Sequence, residues 1–353
     1  MEGGNEGRDD LCPCGSGKKY RHCCQGKERA SASSSVLSDT MREFRQALAE
    51  KEFASEAELQ AFVQDLNEQL GRRPLDDFCG LSPEQIHRLL YFSFDSPQLV
   101  TFPTRLGIPP AAPLLTLFGL LAKGIGEEGL KATARGNLPR EFVQRAALAS
   151  EREGGYQRYA PGSIRTEPDF FELHVTRLVA ELAGLIRKSK GRFLLRPDGR
   201  AAVTDSGAAA LWPRLFLTYV RDFNWAYWDA YPALPFLQQS FLFTLYLLVV
   251  YGDQWRPVTF YEDAFLRAFP RLLEEVGPVS YGTSESLIRR CYSWRVFERF
   301  ASFIGLAEIK RGSNRMLDHN FQVRSTPLLT ETVSFRITAA TVVPTPPAGV
   351  GRL

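Results

Sequence analysis

Leu11-Cys12-Pro13-Cys14-Gly15-Ser16-Gly17-Lys18-Lys19-Tyr20-Arg21-His22-Cys23-Cys24 decides how the amino end of this chain folds. Four of the six cysteines in the 353-residue sequence lie in this run, and the other two, Cys79 and Cys291, stand far from it. A disulfide framework spreads its cysteines through a fold, and the residues ahead of the run do not read as a secretory signal. Such clustering points to a metal site. A tetrahedral thiolate site needs four sulfurs that converge to about 2.3 Å from one ion. Pro13 keeps Cys12 out of the helical region and stiffens the first pair. Gly15-Ser16-Gly17 supplies a turn, and Ser16 is placed to cap a short helix over Lys18–His22 that carries Cys23 and Cys24 back. Neighbouring helical residues point about 100° apart, so both sulfurs reach one ion only where the helix unwinds. Gln25-Gly26 fits such an end. Four thiolates on a divalent ion leave a net charge of about −2, which Lys18, Lys19 and Arg21 favour. Tyr20 covers one side of a piece that has almost no core of its own, so metal binding supplies its folding energy, on the order of 10–16 kcal/mol. The Gly15-Ser16-Gly17-Lys18 stretch is not a phosphate-binding loop, because Cys12 stands where the first glycine belongs and Lys19 where a Ser or Thr belongs.

Cys-x-Cys, eight residues, then Cys-Cys, with Gly-Ser-Gly-Lys-Lys-Tyr between, closely resembles the SEC-C motif over residues 11–26. The resemblance implies that Cys12, Cys14, Cys23 and Cys24 are the four ligands of a zinc ion. Cys24 takes the place where the version at the C-terminus of the preprotein-translocase ATPase has His, and His22 is the competing ligand. All-thiolate tetrahedral sites also accept iron. The resemblance further implies a docking role, with a protein or the ribosome as the partner of the zinc knot.

Composition bounds the rest. Hydrophobic residues make up 44% of the chain, enough for real cores, and a net charge of +3 creates no field that compels nucleic-acid binding. The apolar run Phe241–Tyr251 is too short to span a bilayer and reads as a buried helix. With reduced cysteines and no membrane segment, a cytoplasmic location is expected.

The expected organisation is mainly α with short β-hairpins, an α+β chain. A zinc knot (1–26) and a flexible linker (27–38) precede a helical subdomain (39–160). A helical subdomain with winged-helix-like segments (161–338) and a disordered tail (339–353) follow. Ser38-Asp39-Thr40 is a cap cluster ahead of Met41, Phe44 and Leu48; Ser55-x-x-Glu58 is a capping box for a helix that Gly71 stops; Ser82-Pro83-Glu84-Gln85 starts a third helix. A helix–strand–turn pattern then recurs three times. The first copy is a helix at Leu114–Lys123, a strand at Gly129–Thr133 and a helix at Glu141–Ala149. The second is a helix over Phe170–Lys188, a strand at Arg192–Leu195, a turn at Pro197-Asp198-Gly199 and a strand at Ala202-Val203-Thr204. The third is a helix over Ser284–Ile304 with strands at Leu306–Lys310 and Phe321–Arg324. A helix followed by a two-stranded hairpin is the outline of a winged helix.

No catalytic constellation stands out. The sequence has no His-Glu-x-x-His pair, no Gly-x-Ser-x-Gly elbow and no glycine-rich dinucleotide fingerprint. His87, His174 and His319 read as structural or solvated, Cys79 and Cys291 as ordinary buried thiols. Aromatics gather in Phe223–Tyr231, either as a stacking surface or as packing between subdomains. Basic residues gather at Arg187, Lys188, Lys190, Arg192, Arg196 and Arg200, and again at Arg289, Arg290, Arg295 and Arg299 with Lys310, Arg311 and Arg315 beyond. Of these, Arg187, Lys188, Lys190, Arg192, Arg289 and Arg290 are the candidate nucleic-acid contacts. The leading reading is a non-enzymatic zinc-binding adaptor, and the alternative is a winged-helix-like nucleic-acid-binding regulator.

Overall fold

A computed structural model describes residues 35–107, 109–152, 163–201, 204–279, 282–312 and 320–337. The cysteine run, most of the linker, Arg315, His319 and the proline-containing tail lie outside the described residues, and so do the expectations stated for them. Helices dominate and three small antiparallel sheets accompany them, as the mainly α, α+β reading expects. The described residues form two compact units. One is drawn from residues 35–87 and 263–286, the other from 88–262 and 287–337.

In the first unit, α1 (Ser35–Ala49) begins ahead of the expected Ser38-Asp39-Thr40 cap cluster. Leu37 continues the Met41 and Phe44 spacing one turn back, so the helical pattern overrides the local cap signal. At the head of α2 (Glu56–Arg72), Ser55 Oγ accepts the Glu58 N–H at 3.2 Å and the Glu58 carboxylate accepts the Ala54 N–H at 3.0 Å. Gly71 does not end this helix. It runs to Arg72 and stops because Arg73 precedes Pro74 and is held extended, at ψ 123°. The head of α3 (Pro83–Tyr91) carries the complete reciprocal box: Ser82 Oγ accepts the Gln85 N–H at 3.2 Å and Gln85 Oε1 accepts the Ser82 N–H at 2.8 Å.

The second unit contains β1 (Val100–Thr101), α4 (Pro113–Ile125), β2 (Leu130–Lys131), α5 (Arg140–Arg152), α6 (Phe171–Leu182), β3 (Ile186–Ser189) and β4 (Arg192–Leu195). The chain continues through α7 (Pro197–Ala201), α8 (Asp205–Arg221), α9 (Phe236–Gln239), α10 (Phe241–Tyr251), β5 (Arg256–Pro257), α11 (Val258–Ala268), α12 (Arg271–Val276) and α13 (Ser284–Tyr292), of which α12, the end of α11 and the start of α13 belong to the first unit. A π-helical stretch over Ser293–Ala301 leads to β6 (Ala307–Arg311), β7 (Phe321–Ser325), α14 (Pro327–Thr332) and β8 (Ser334–Phe335). β1 pairs with β8.

The repeat is longer than the sequence pattern suggests. Helix, two-residue strand, helices and hairpin occur in that order twice, and each time the early short strand pairs with the last strand of the hairpin. The resulting sheets are ordered β2-β4-β3 and β5-β7-β6. The first two expected copies are thus the two halves of one module.

The first hairpin also closes differently from the expectation. Phe170–Lys188 is not one helix: Gly184, at φ +68°, ends α6, and the next residues turn into β3. Lys190 and Gly191 sit at φ 47° and 71°, so both turn residues lie in the left-handed region that matches the twist of a two-residue hairpin. The strand partner therefore precedes Arg192–Leu195, with Ile186 opposite Leu195 and Lys188 opposite Phe193. Pro197–Ala201 is helical instead of a simple turn.

The core of this unit centres on α10. Nine of its eleven residues are buried, so the Phe241–Tyr251 run is an interior helix as expected. Trp212 is fully buried and its indole N–H donates to Thr332 Oγ1 at 3.1 Å, satisfying the one polar atom it brings inside. No helix among the described residues is long and apolar enough to cross a membrane.

Candidate functional site

The β3–β4 hairpin and α7 carry the densest group of cations. Alternation along the strands puts Ile186, Phe193 and Leu195 into the core and leaves Arg187 exposed. Arg196 immediately precedes α7 and Arg200 lies on it, the Arg200 N–H donating to the Arg196 carbonyl at 3.1 Å. Two contacts fix this short helix against the hairpin. The Arg196 N–H donates to the Leu185 carbonyl at 2.9 Å, and Gly199 comes so close that a Cβ there would stand 2.5 Å from the same oxygen. The product is an open pocket of about 470 Å³ lined by Arg187, Leu195, Arg196, Pro197 and Arg200.

The neighbouring cations have other attachments. Lys188 Nζ donates to the Gly136 carbonyl at 3.2 Å, and Arg192 donates to the carbonyls of Glu128 at 3.1 Å and Gly129 at 2.8 Å. Both side chains thereby brace the loops flanking β2. Lys190 is exposed at the hairpin tip.

The second expected group is distributed differently. Arg289, on α13, faces Glu262 at 3.4 Å, and Arg290 beside it is half-buried. Arg295 is 1% exposed and serves a structural purpose: it binds the Asp229 carboxylate through two nitrogens and donates to the carbonyls of Tyr231, Pro232 and Ala233. Arg299 stacks on Phe171 at 3.8 Å and donates to the carbonyls of Tyr227 and Trp228. Together they hold a segment in which Trp228, Ala230 and Leu234 all have positive φ, a conformation that costs side-chain-bearing residues energy. Within the aromatic stretch, Trp225 is buried and donates to the Tyr219 carbonyl, whereas Trp228 is 63% exposed.

One buried network escaped the sequence reading. Glu167 is fully buried. Its carboxylate accepts from the Leu138 N–H at 2.5 Å, from Arg177 Nε at 2.5 Å, and lies 2.8 Å from His174 Nδ1. His174 Nε2 meets the Tyr227 hydroxyl at 3.0 Å, and Arg177 also reaches Glu181 at 3.0 Å. Burial pushes the Glu167 carboxyl up, but the bond with His174, the charge of Arg177 and the Leu138 N–H together hold it below the ordinary glutamate value. With every Glu167 neighbour engaged, the cluster ties α6 to the chain after β2. His174 is buried within this network. Cys79 and Cys291 are free, buried thiols, and burial pushes Cys291 up to about 12, far from a reactive thiolate.

No group of three or more His, Cys, Asp or Glu among the described residues could hold a metal ion. The expected ligands Cys12, Cys14, Cys23 and Cys24 lie outside those residues. Comparison with protein families reaches that segment. Residues 10–26 match the SEC-C motif. SEC-C is a zinc-binding type of motif, and the match leaves the rest of the chain unassigned. No curated protein and no solved structure matches the chain.

Proposed function

We propose that this chain is a zinc-dependent adaptor of the cytoplasm. Its SEC-C segment holds one zinc ion through Cys12, Cys14, Cys23 and Cys24 and docks on a protein or ribosomal partner. The observation that carries this reading is the SEC-C match at residues 10–26, with all four thiols inside it. The donor set fits the ion: four thiolates suit tetrahedral zinc and leave no open coordination position, so the metal serves as structure instead of as a catalytic centre. Iron is the other ion such a donor set accepts. The helical body supplies a second, separate surface. The test is affinity capture from native lysate with wild type and with Cys23→Ser/Cys24→Ser. The adaptor reading expects a discrete partner set that the double variant loses while its body still melts cooperatively. An identical partner set on the metal-free variant would contradict it.

A further inference from the structure

The arginine pocket has a property that the second hairpin lacks. Arg187, Arg196 and Arg200 converge on one open space and are all exposed. Among the described residues no carboxylate pairs with any of the three. The nearest acid in sequence, Asp198, is taken by Arg214 at 2.8 Å. The three are like charges lining one space, and like charges repel. An anion placed between the three would relieve that repulsion. Guanidinium groups match phosphate oxygens in pairs through their fixed donor geometry.

The ligand class follows from what surrounds the pocket. Its walls are three arginines, Leu195 and Pro197, and no aromatic ring lines it on which a base could stack. Lys190 extends the positive surface to the hairpin tip. The helix that precedes the hairpin cannot read bases: seven of the twelve residues of α6 are buried, including His174, Thr176 and Arg177. Base readout needs side chains that reach groove edges, and α6 has no polar face to offer. We infer that Arg187, Arg196 and Arg200 form a site for the phosphodiester backbone of a nucleic acid, which the hairpin grips without regard to sequence. This inference does not depend on the zinc knot.

The experiment uses the full-length, zinc-loaded protein and fluorescence anisotropy with two labelled duplexes of unrelated sequence, titrated at several salt concentrations. Each neutralised duplex phosphate contributes about −0.9 to the slope of log affinity against log salt, so three contacts give a slope near −2.7. The two duplexes are expected to bind within about threefold of one another, since phosphate contacts carry no sequence information. Arg187→Gln/Arg196→Gln/Arg200→Gln should lower affinity at least about tenfold in low salt and flatten the slope by about 2 to 3. These side chains are exposed and have no partner to orphan, so the variant should fold, which its thermal melt checks. Arg324→Gln, on the second hairpin, should leave the slope unchanged. An unchanged slope in the triple variant, absence of binding in low salt, or strong preference for one duplex would overturn the inference. Displacement of the duplex by millimolar inorganic phosphate at constant ionic strength would assign the pocket to a small free anion instead, and would overturn the backbone assignment.

Discussion

The sheets β2-β4-β3 and β5-β7-β6 share a strand order and use their arginines in opposite ways. On the second hairpin, Arg311 pairs with the buried Glu298 at 2.6 Å and Arg324 with Glu308 at 2.7 Å, while Arg324 and Lys310 lie over Trp255. Its cations neutralise the molecule's own acids and cover its own rings. On the first, Arg187, Arg196 and Arg200 face a pocket with no acid among the described residues to answer them. The same topology therefore yields one hairpin whose charge is spent internally and one whose charge is left to solvent. The number of basic residues on a hairpin says little about binding; the placement of carboxylates around them says more.

That contrast can be tested by stability as well as by binding. The largest effect is expected at Glu167, the anchor of the first module. Glu167→Ala would leave Arg177 buried without its main partner and should cost about 3–5 kcal/mol in chemical denaturation. The same residue sets an acid response. Its folded-state pKa lies below the unfolded value, so its contribution is present above about pH 4.3 and is lost as pH falls through the folded pKa. Glu167→Gln should accordingly show a flatter loss of stability between neutral and acid pH, measured by denaturation midpoints.

A smaller effect is expected at Arg311, which pairs with the buried Glu298. Arg311→Gln should destabilise by about 1–3 kcal/mol in chemical denaturation. The smallest belongs to exposed sites. Arg324→Gln breaks a pair in which both partners are more than 40% exposed and should cost under about 1 kcal/mol. Arg187→Gln should move the melt less still, because it breaks no pair. A destabilisation at Arg187 as large as that at Arg311 would erase the distinction between the hairpins.

The parts of this molecule legible in its sequence are those with short-range causes. Ser82 and Gln85 stand three residues apart and do form the reciprocal cap. Phe241–Tyr251 is apolar on all sides and is buried on nearly all sides. The hairpin was misplaced because its turn uses Lys190, a residue that rarely signals positive φ, beside Gly191, while Pro197-Asp198-Gly199 carries the stronger turn composition. The true repeat stayed hidden because β2 and β5 are two residues long and their partners lie about 60 residues on. Of the basic cluster, the sequence supplied the residues but not the division of labour. Nothing local distinguishes Lys188 and Arg192, which hold carbonyls, from Arg187, which does not. Glu167 was invisible for the same reason, since its partners Leu138 and Arg177 are brought to it only by tertiary folding.

The proposed metal at the amino end can be measured directly, and the body makes that measurement clean. Cys79 and Cys291 are 7% and 0% exposed, so neither should react quickly with an alkylating reagent in the native state. Elemental analysis of the reduced, freshly purified protein, read beside native thiol alkylation, therefore isolates the other four cysteines. One zinc per chain is expected, with no fast-reacting thiol until a chelator is added, whereupon Cys12, Cys14, Cys23 and Cys24 react together. A metal-free protein with those four thiols modified at once would contradict that expectation.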